Sequence, residues 1–593
     1  MKLPLIIIKE ILDYLLSFCK NTIRLWYFIK KFTLISKEWN RSVLPKLNVR
    51  YSFYIDSESK ISHKVIKQAH KFGIKFNGEY SISKNTSATN LVSKENIRTL
   101  EVSNVTDISE FTNINTLRFF IPLKEFGMVK QFPISQTVKY SLCLPYMKHV
   151  ITDNSTYETL FNQSIFYSIN INAFELNLNH NGFSLNNGNQ NLKSLYLIGA
   201  YLDFKSLEQI LEKCENLEYI KLSIPNWTTQ MNSELLDKLA LLPLKLDLLE
   251  INQNQSVYLK SYLNLLSKTK SRIVDIKFIN YYCQSREEMF QKVSSPNTKI
   301  MYFHNGEYIA NNNGIEYKEK LSNVINYNFT HLENFYIYGS YYKSVFPIEE
   351  YDFSNLISVS ICGFDSFEPL HTQSQTFIQG LVSLNLVKMR TLVLDLNLSP
   401  KFQLTEYSII ENALKNNNNL TSLTVSNMFF SQITTFNHPT ITKLNVSIVH
   451  CIDSQIKNIV SSISKNKNLL KLKIMDIPVQ DKSYNFFDAY FEILTTNKTL
   501  TSLYLPVRGK YDKPKHDLQY ENLLSNSKIM NRLTNLFIPN IEIQNRFESY
   551  GYLINPNFYK PKGNEKWFRS KKMPIFIDRC NLIDTKKIYN DNY

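Results

Sequence analysis

Six apolar positions recur along this chain at one spacing, and that recurrence constrains the fold more than any single motif does. Its core is apolar-x-x-apolar-x-apolar, as in Leu192/Leu195/Leu197, Leu217/Ile220/Leu222, Leu356/Val359/Ile361, Leu420/Leu423/Val425, Leu469/Leu472/Ile474 and Leu500/Leu503/Leu505. Further runs are Leu246/Leu249/Ile251, Ile273/Ile276/Phe278, Leu332/Phe335/Ile337, Met389/Leu392/Leu394, Ile441/Leu444/Val446 and Leu533/Leu536/Ile538. Weaker ones stand at Ile97/Leu100/Val102, Ile114/Leu117/Phe119 and Ile171/Phe174/Leu176. So short a pattern arises by chance on the order of twenty times in a chain of this length, so the residues before it decide. Counting back 13, 10 and 6 positions finds Phe204, Leu207, Leu211 before Leu217, and Tyr407, Ile410, Leu414 before Leu420. It finds Ile456, Ile459, Ile463 before Leu469, and Phe487, Tyr490, Leu494 before Leu500. All six slots are apolar in these four copies, and the copies ending at Ile251 and Ile538 fill five of six.

The spacing has a physical meaning. Steps of three and four place the upstream residues on one helical face. The last two apolar residues stand two apart, the period of a strand. Between helix and strand lie polar links such as Cys214-Glu-Asn, Lys415-Asn-Asn-Asn-Asn, Lys465-Asn-Lys-Asn and Thr495-Thr-Asn-Lys. Residues of this kind end helices and favour turns. Each unit therefore reads helix, short loop, strand, with most strand starts 21 to 33 residues apart. Stacked units also accommodate the length. A single core stops growing near ~250–300 residues, whereas each repeat buries its face against its neighbours.

The Leu-x-x-Leu-x-Leu strand resembles the leucine-rich repeat family, and residues 413–427 (ALKNNNNLTSLTVSN) look most like the helix-containing type of ribonuclease inhibitor. The resemblance covers residues 170 to 540, and more weakly 90 to 170. It implies an α/β solenoid: a horseshoe with a parallel sheet on its concave side and helices on its convex side. Repeat lengths are irregular, and the asparagine that the family carries after the strand is mostly missing, with Asn427 near that place. The alternative is an ordinary βα protein with a doubly wound sheet, for which no ligand-binding glycine loop speaks. In a solenoid the residues between the apolar strand positions face outward on the inner curve. Tyr196, Tyr219, Lys221, Lys471, Lys473, Tyr504 and Phe537 are the candidates there for holding a target protein. Aromatic anchors among adaptable polar groups suit protein recognition. The plainer alternative is a solvated strand face.

Residues 1–46 read as a small helical domain of their own. Leu3-Pro4 is followed by Ile7, Ile8, Ile11, Leu12 and Leu15, a helical face behind a proline in the first turn. A second helix is expected over 21–31 and a third within 32–44, where Leu34-Ile-Ser-Lys-Glu-Trp39 stands. These residues resemble the F-box. The acidic residue usual after Leu-Pro is absent, with Ile6 near its place, and the middle segment is more aromatic than usual. The resemblance implies docking onto a Skp-type adaptor of an SCF-type (cullin–RING) ubiquitin ligase. Leu3, Pro4, Ile7, Ile8, Ile11, Leu12, Leu15 and Trp39 would form or support that contact. The alternative is a helical cap closing the first repeat, which arrays need for solubility.

The chemistry search points away from an enzyme, a cofactor or a metal. With 14 glycines in 593 residues there is little material for phosphate loops, and no GxGxxG, GxxxxGK[ST], GxSxG or HExxH occurs. The ten histidines are scattered; His450-Cys451 are neighbours in one strand, a poor arrangement for joint metal ligation. Glu287-Glu288 and Glu349-Glu350 read as solvated surface. The net charge is +16. Its densest run is in residues 546–593, where Lys560, Lys562, Lys566, Arg569, Lys571 and Lys572 interleave with Tyr559, Trp567 and Phe568. Such a run can bind nucleic acid by phosphate pairing and stacking. A C-terminal cap or tail is the preferred reading, with nucleic acid disfavoured. Residues 507–517 (VRGKYDKPKHD) read as a basic loop inserted in the solenoid, which is expected over 47–545.

Seven cysteines without a CxxC pair fit free thiols in a reducing compartment. The N-terminal apolar run is broken by Lys9 and Glu10, unlike a secretory signal, and no apolar stretch is long enough to span a membrane. The expectation is a soluble cytoplasmic and/or nuclear protein, monomeric within a complex. It would be the substrate-recognition subunit of the ligase, holding an unknown target protein on its repeats. The alternatives are a repeat scaffold without a ligase link and a nucleic-acid binder acting through the basic tail.

Overall fold

The computed structural model of the chain describes residues 12, 26, 29–30, 37–55, 64, 67–68, 71–82, 97–102, 116–119, 139–147, 150–151, 166–177, 189–201, 204–224, 227–283, 292–304, 306–312, 315–321, 326–328, 330–338, 352–362, 380–395, 414–429, 438–450, 453–474, 486–504, 512–533, 535–538, 553–555 and 566–569. The chain divides into two compact units. The first is Met1–Met289 with Val293–Lys299 and Gly306–Lys318; the second is Phe290–Lys292, Ile300–Asn305 and Glu319–Tyr593.

In the first unit, parallel strands follow one another in chain order: Asn48–Ile55, Lys75–Ile82, Ile97–Val102, Thr116–Phe119, Lys139–Met147, Phe166–Asn177, Ser194–Tyr201, Tyr219–Ser223, Leu248–Asn252 and Ile273–Lys277. Each pairs with the next. The strands thus begin well before the region of clear repeats. The last four present two unbroken apolar rows, Leu195–Ile220–Leu249–Val274 and Leu197–Leu222–Ile251–Ile276. Every one of these side chains is buried. Full burial of such a side chain contributes about 1.5–3 kcal/mol.

Helices make the crossovers that parallel neighbours require. Phe204–Lys213 buries Leu207, Ile210 and Leu211. Thr229–Leu241 buries Ser233, Leu236 and Ala240, the three slots that the repeat spacing assigns to it. Thr228 opens that helix by accepting the Met231 amide on its side chain at 3.2 Å. The connection after Ile273–Lys277 departs from helix–loop–strand. It holds the short strands Asn280–Cys283 and Lys292–Ser294 among its described residues. Asn280–Cys283 joins Ser256–Tyr258 and Glu307–Asn312 in a second parallel ladder. The alternating Asn-Tyr-Tyr-Cys run favours a strand and drives Tyr281 into the core, against Tyr262 at 5.0 Å and Phe278 at 6.1 Å.

Pairing also corrects two repeat frames. Ile169 faces Leu195 and Ile171 faces Leu197, so the repeat there is Phe166/Ile169/Ile171 and not Ile171/Phe174/Leu176. Val274 faces Leu249 and Ile276 faces Ile251, so the other is Ser271/Val274/Ile276 and not Ile273/Ile276/Phe278. Both segments alternate apolar residues over more than one frame, and only the neighbouring strand selects between them. At the second, the leading slot is polar. Ser271 is buried and its carbonyl accepts from Thr298 Oγ1 at 3.1 Å.

The second unit holds parallel strands Ile300–His304, Asn334–Tyr338, Ser358–Cys362, Thr391–Asp395, Ser422–Phe429, Lys443–His450, Lys471–Ile474, Ser502–Tyr504 and Asn535–Ile538. They too pair in chain order. Met301, Phe335, Val359, Leu392, Leu423, Leu444, Leu472 and Leu503 form one buried row. The ladder then changes sense. Lys566–Arg569 runs antiparallel to Asn535–Ile538 and to Leu553–Asn555, so part of the basic C-terminal run pairs with the last parallel strand. Lys566–Arg569 thereby covers the row of backbone groups that Asn535–Ile538 would otherwise present. Residues 513–517, expected as loop, begin the helix Lys513–Ser525, because Pro514 is compatible with a first helical turn.

The asparagines of the inter-repeat links are a structural device of their own. Asn417 Oδ1 accepts the amides of Asn419 and Leu420, Asn466 Oδ1 those of Asn468 and Leu469, and Asn497 Oδ1 those of Thr499 and Leu500. Their amide groups reach back to the previous repeat: Asn417 Nδ2 donates to Val382 O at 3.1 Å and Asn497 Nδ2 to Ile463 O at 2.7 Å. Those carbonyls end helices, where each accepts only a three-residue turn amide, Asn385 N at 3.3 Å and Asn466 N at 3.2 Å, and the asparagine adds a second donor. Asparagine therefore does occupy a fixed repeat position, three residues before the strand's first apolar residue rather than after the strand.

At the N-terminus, Leu12, Trp26, Ile29 and Lys30 are helical, and Leu12 and Ile29 are buried. A helix spans Lys37–Ser42, with a 3-10 turn at Leu44–Lys46. Leu3, Pro4, Ile7, Ile8, Ile11, Leu15 and the side chain of Trp39 lie outside the described residues.

Candidate interaction face

Along the strands whose burial is described, the residues between the buried apolar ones line up into rows on the other face of the sheet. In the first unit, Tyr196, Lys221, Glu250 and Asp275 are partners in register. Lys221 Nζ is 2.8 Å from Glu250 Oε1, and Lys193 Nζ is 2.8 Å from Glu218 Oε1. Tyr219 donates its hydroxyl to Asp247 Oδ2 at 3.1 Å. Burial raises the Tyr196 phenol above its ordinary range, and the Glu250 charge adds to the rise. All three expected residues of this unit are half-buried and on the predicted face, but Tyr219 engages Asp247 just before the next strand and Lys221 engages Glu250 on it. Opposite charges side by side suit adjacent strands.

The second unit differs. Its first strands carry an aromatic stack that the repeat spacing did not single out. Tyr302 and Tyr336 lie face to face at 4.5 Å and 10°, and His304 stacks on Tyr338 at 5.0 Å and 11°. Tyr336 and Tyr338 alternate with Phe335 and Ile337, a signal present in the sequence. Tyr302 and His304 escaped it because Thr298 fills the leading slot of their repeat. Toward the other end stand Lys471, Lys473 and Tyr504, three of the expected residues, together with Lys443. Lys473 Nζ sits 5.8 Å from the centre of the Tyr504 ring. Phe537 lies opposite Trp567 in backbone register, and its side chain is outside the described residues.

Two buried polar groups elsewhere serve the fold. His516 accepts the Asp512 amide on Nδ1 at 2.9 Å at the start of its helix. Cys214, a free cysteine, is fully buried, and burial pushes its thiol up to about 11, far from a reactive thiolate. Among the described residues no group of three or more His, Cys, Asp or Glu could hold a metal ion. Among them, no helix is long and apolar enough to cross a membrane.

No family model matches the chain. No curated protein matches it either. Among solved structures, one titled "Crystal structure of TLR13-ssRNA13 complex" aligns over 73% of this chain and 74% of that chain, with 11% identity and a TM-score of 0.32. The reading of the fold rests on this chain's own strand register and burial: parallel strands in chain order with in-phase apolar rows, which fit a leucine-rich repeat architecture.

Proposed function

We propose that this chain is a non-enzymatic scaffold that holds a protein partner on the exposed face of its repeat strands. The observation that carries the reading is the alternation along strands such as Tyr219–Ser223, Leu248–Asn252, Ile273–Lys277 and Asn334–Tyr338: buried apolar residues on one side, and on the other, less buried positions rich in Tyr, Lys, Asn and carboxylates. Such a face suits recognition by aromatic anchors and adaptable polar groups.

The finer reading is a substrate-recognition subunit of an SCF-type ubiquitin ligase, monomeric within its complex and cytoplasmic or nuclear. Residues 3–45 would dock the Skp-type adaptor, and the repeats would hold the target close to the ubiquitin-transfer machinery, raising its effective concentration. Its support is the Leu3-Pro4 and Leu34–Trp39 pattern placed ahead of a repeat array. Affinity purification of the intact chain tests it. Recovery of the adaptor, lost on Leu3→Asp with Pro4→Ala, is the expected result. No adaptor recovered where a known F-box protein recovers it sinks the ligase reading.

A second reading, an N-terminal cap on a scaffold without a ligase link, has its own observation. A Cβ on Gly73, whose φ is +65°, would sit 3.2 Å from Pro45 Cβ, so the end of the helical segment packs tightly against the turn before the second strand. On this reading, deletion of residues 1–46 exposes repeat core and causes aggregation.

A further inference from the structure

On the open face of the first unit's sheet, apolar side chains stand next to one another across neighbouring strands. Tyr219, Leu248 and Ile273 are partners in register on three successive strands, and all three are half-buried. The core does not use them: the opposite face of the same strands supplies the buried Ile220, Leu249 and Val274 to it. A single apolar residue on a surface needs no explanation. Three in a row make a contiguous strip, and contiguous apolar surface is where partners dock.

The borders of the strip are polar and matched among themselves. On one side Lys221 Nζ lies 2.8 Å from Glu250 Oε1. On the other, Lys193 Nζ lies 2.8 Å from Glu218 Oε1, and the Tyr219 hydroxyl donates to Asp247 Oδ2 at 3.1 Å. These groups answer one another within the first unit, so the strip calls for no counter-charge from its occupant. An apolar centre inside a polar rim is how protein-recognition hot spots are built.

Direction narrows the occupant. The strip runs across the strands, which lie about 4.8 Å apart. An extended segment laid along one strand leaves it at once, meeting Ile273, then Asp275, then Lys277. An extended segment laid across the strands repeats its same-side side chains every ~6.6–6.8 Å and falls out of step with them. An α-helix laid across them rises about 5.4 Å per turn, so side chains at i, i+3 or i+4, and i+7 meet three successive strands.

We propose that Tyr219, Leu248 and Ile273 form a docking strip for an amphipathic helix of a partner protein, which lies across the strands and packs a row of Leu, Ile or Phe against them. This rests on the scaffold reading and adds to it the kind of partner and the place where it is held.

The test uses the full chain and a fluorescein-labelled helical peptide of alanine and glutamine with one stripe of leucines at i, i+4, i+7 spacing, followed by anisotropy. The expected result is binding that changes little between low and physiological salt and weakens at least about tenfold in Leu248→Lys and in Ile273→Lys. Ile273→Ser, which adds no charge, weakens it as well, and all three variants melt at the wild-type temperature. Asn252→Lys, which adds the same charge further along the same face, keeps the affinity. The inference is overturned if the wild-type chain does not bind the striped peptide, or if a peptide of the same composition with its leucines dispersed around the helix binds as tightly. Equal losses in Asn252→Lys and Ile273→Lys, or binding abolished by salt, overturn it too. So does self-association of the wild-type chain that Ile273→Lys abolishes, which assigns the strip to a second copy. The scaffold reading fails separately, by absence of protein partners on the wild-type chain itself. Partners recovered equally by wild type and Ile273→Lys overturn the strip alone.

Discussion

His438 donates from Nε2 to the carbonyl oxygen of Leu414, 2.7 Å away, and so closes the end of the preceding repeat's helix. Its Nδ1 faces the amide of Thr440 at 3.3 Å and accepts from it. The pair fixes a neutral imidazole with its proton on Nε2. His438 stands three residues before Ile441, where Asn417, Asn466 and Asn497 stand in other repeats, and performs both of asparagine's tasks.

This geometry makes one link of the second unit sensitive to acid. Burial lowers the His438 imidazole below its ordinary 6.5, more than the Leu414 carbonyl raises it. A proton on Nδ1 would also oppose the Thr440 N–H. Below that ordinary value the unfolded chain takes a proton that the folded chain refuses, so stability falls as pH drops toward the folded-state value. His438→Asn should keep both hydrogen bonds and remove this slope. Thermal melts between neutral and mildly acidic pH measure it; equal slopes in both proteins would refute the account.

Asn497 is fully buried, with Oδ1 at 2.9 and 2.7 Å from two amides and Nδ2 at 2.7 and 2.9 Å from two carbonyls. Asn497→Ala leaves the Thr499 and Leu500 amides without their acceptor and takes one donor each from the Ile463 and Asn466 carbonyls, a cost of about 3 kcal/mol. Hydrogen exchange of the Thr499 and Leu500 amides should accelerate, while the neighbouring exposed Lys498→Ala leaves them protected.

Gly306 has no room for a side chain. A Cβ there would lie 2.7 Å from the Tyr281 ring and 2.9 Å from the Ile279 carbonyl oxygen. Because Tyr281 is fully buried, it cannot swing away. Gly306→Ala should destabilise the first unit by about 1–3 kcal/mol, read as a lower melting temperature.

The corrected frame at the last strand of the first unit separates two neighbours. Ile273 is half-exposed on the open face, and Val274 is 1% exposed in the apolar row. Ile273→Lys should change stability by no more than about 0.5 kcal/mol. Val274→Lys places an unpaired ammonium in the core and should abolish soluble expression. Equal tolerance of both would return the frame to Ile273/Ile276/Phe278.

The sequence by itself determined the repeat. Leu207 and Leu211, or Ile459 and Ile463, stand on one helical face before a strand, because a period near four buries only one side of a helix. It also named Lys471, Lys473 and Tyr504 as face residues, since period two assigns alternate strand positions to opposite sides. Only the tertiary structure decided the rest. The frames at Ile171 and Ile273 depended on which residues of the adjoining strand they meet, and local alternation does not carry that information. The link asparagines gained their role from carbonyls some thirty positions earlier, brought within hydrogen-bonding distance by stacking. Lys221 and Lys471 look alike in sequence. In register one stands opposite Glu250 and the other opposite Lys443, because strand pairing sets residues from different repeats side by side.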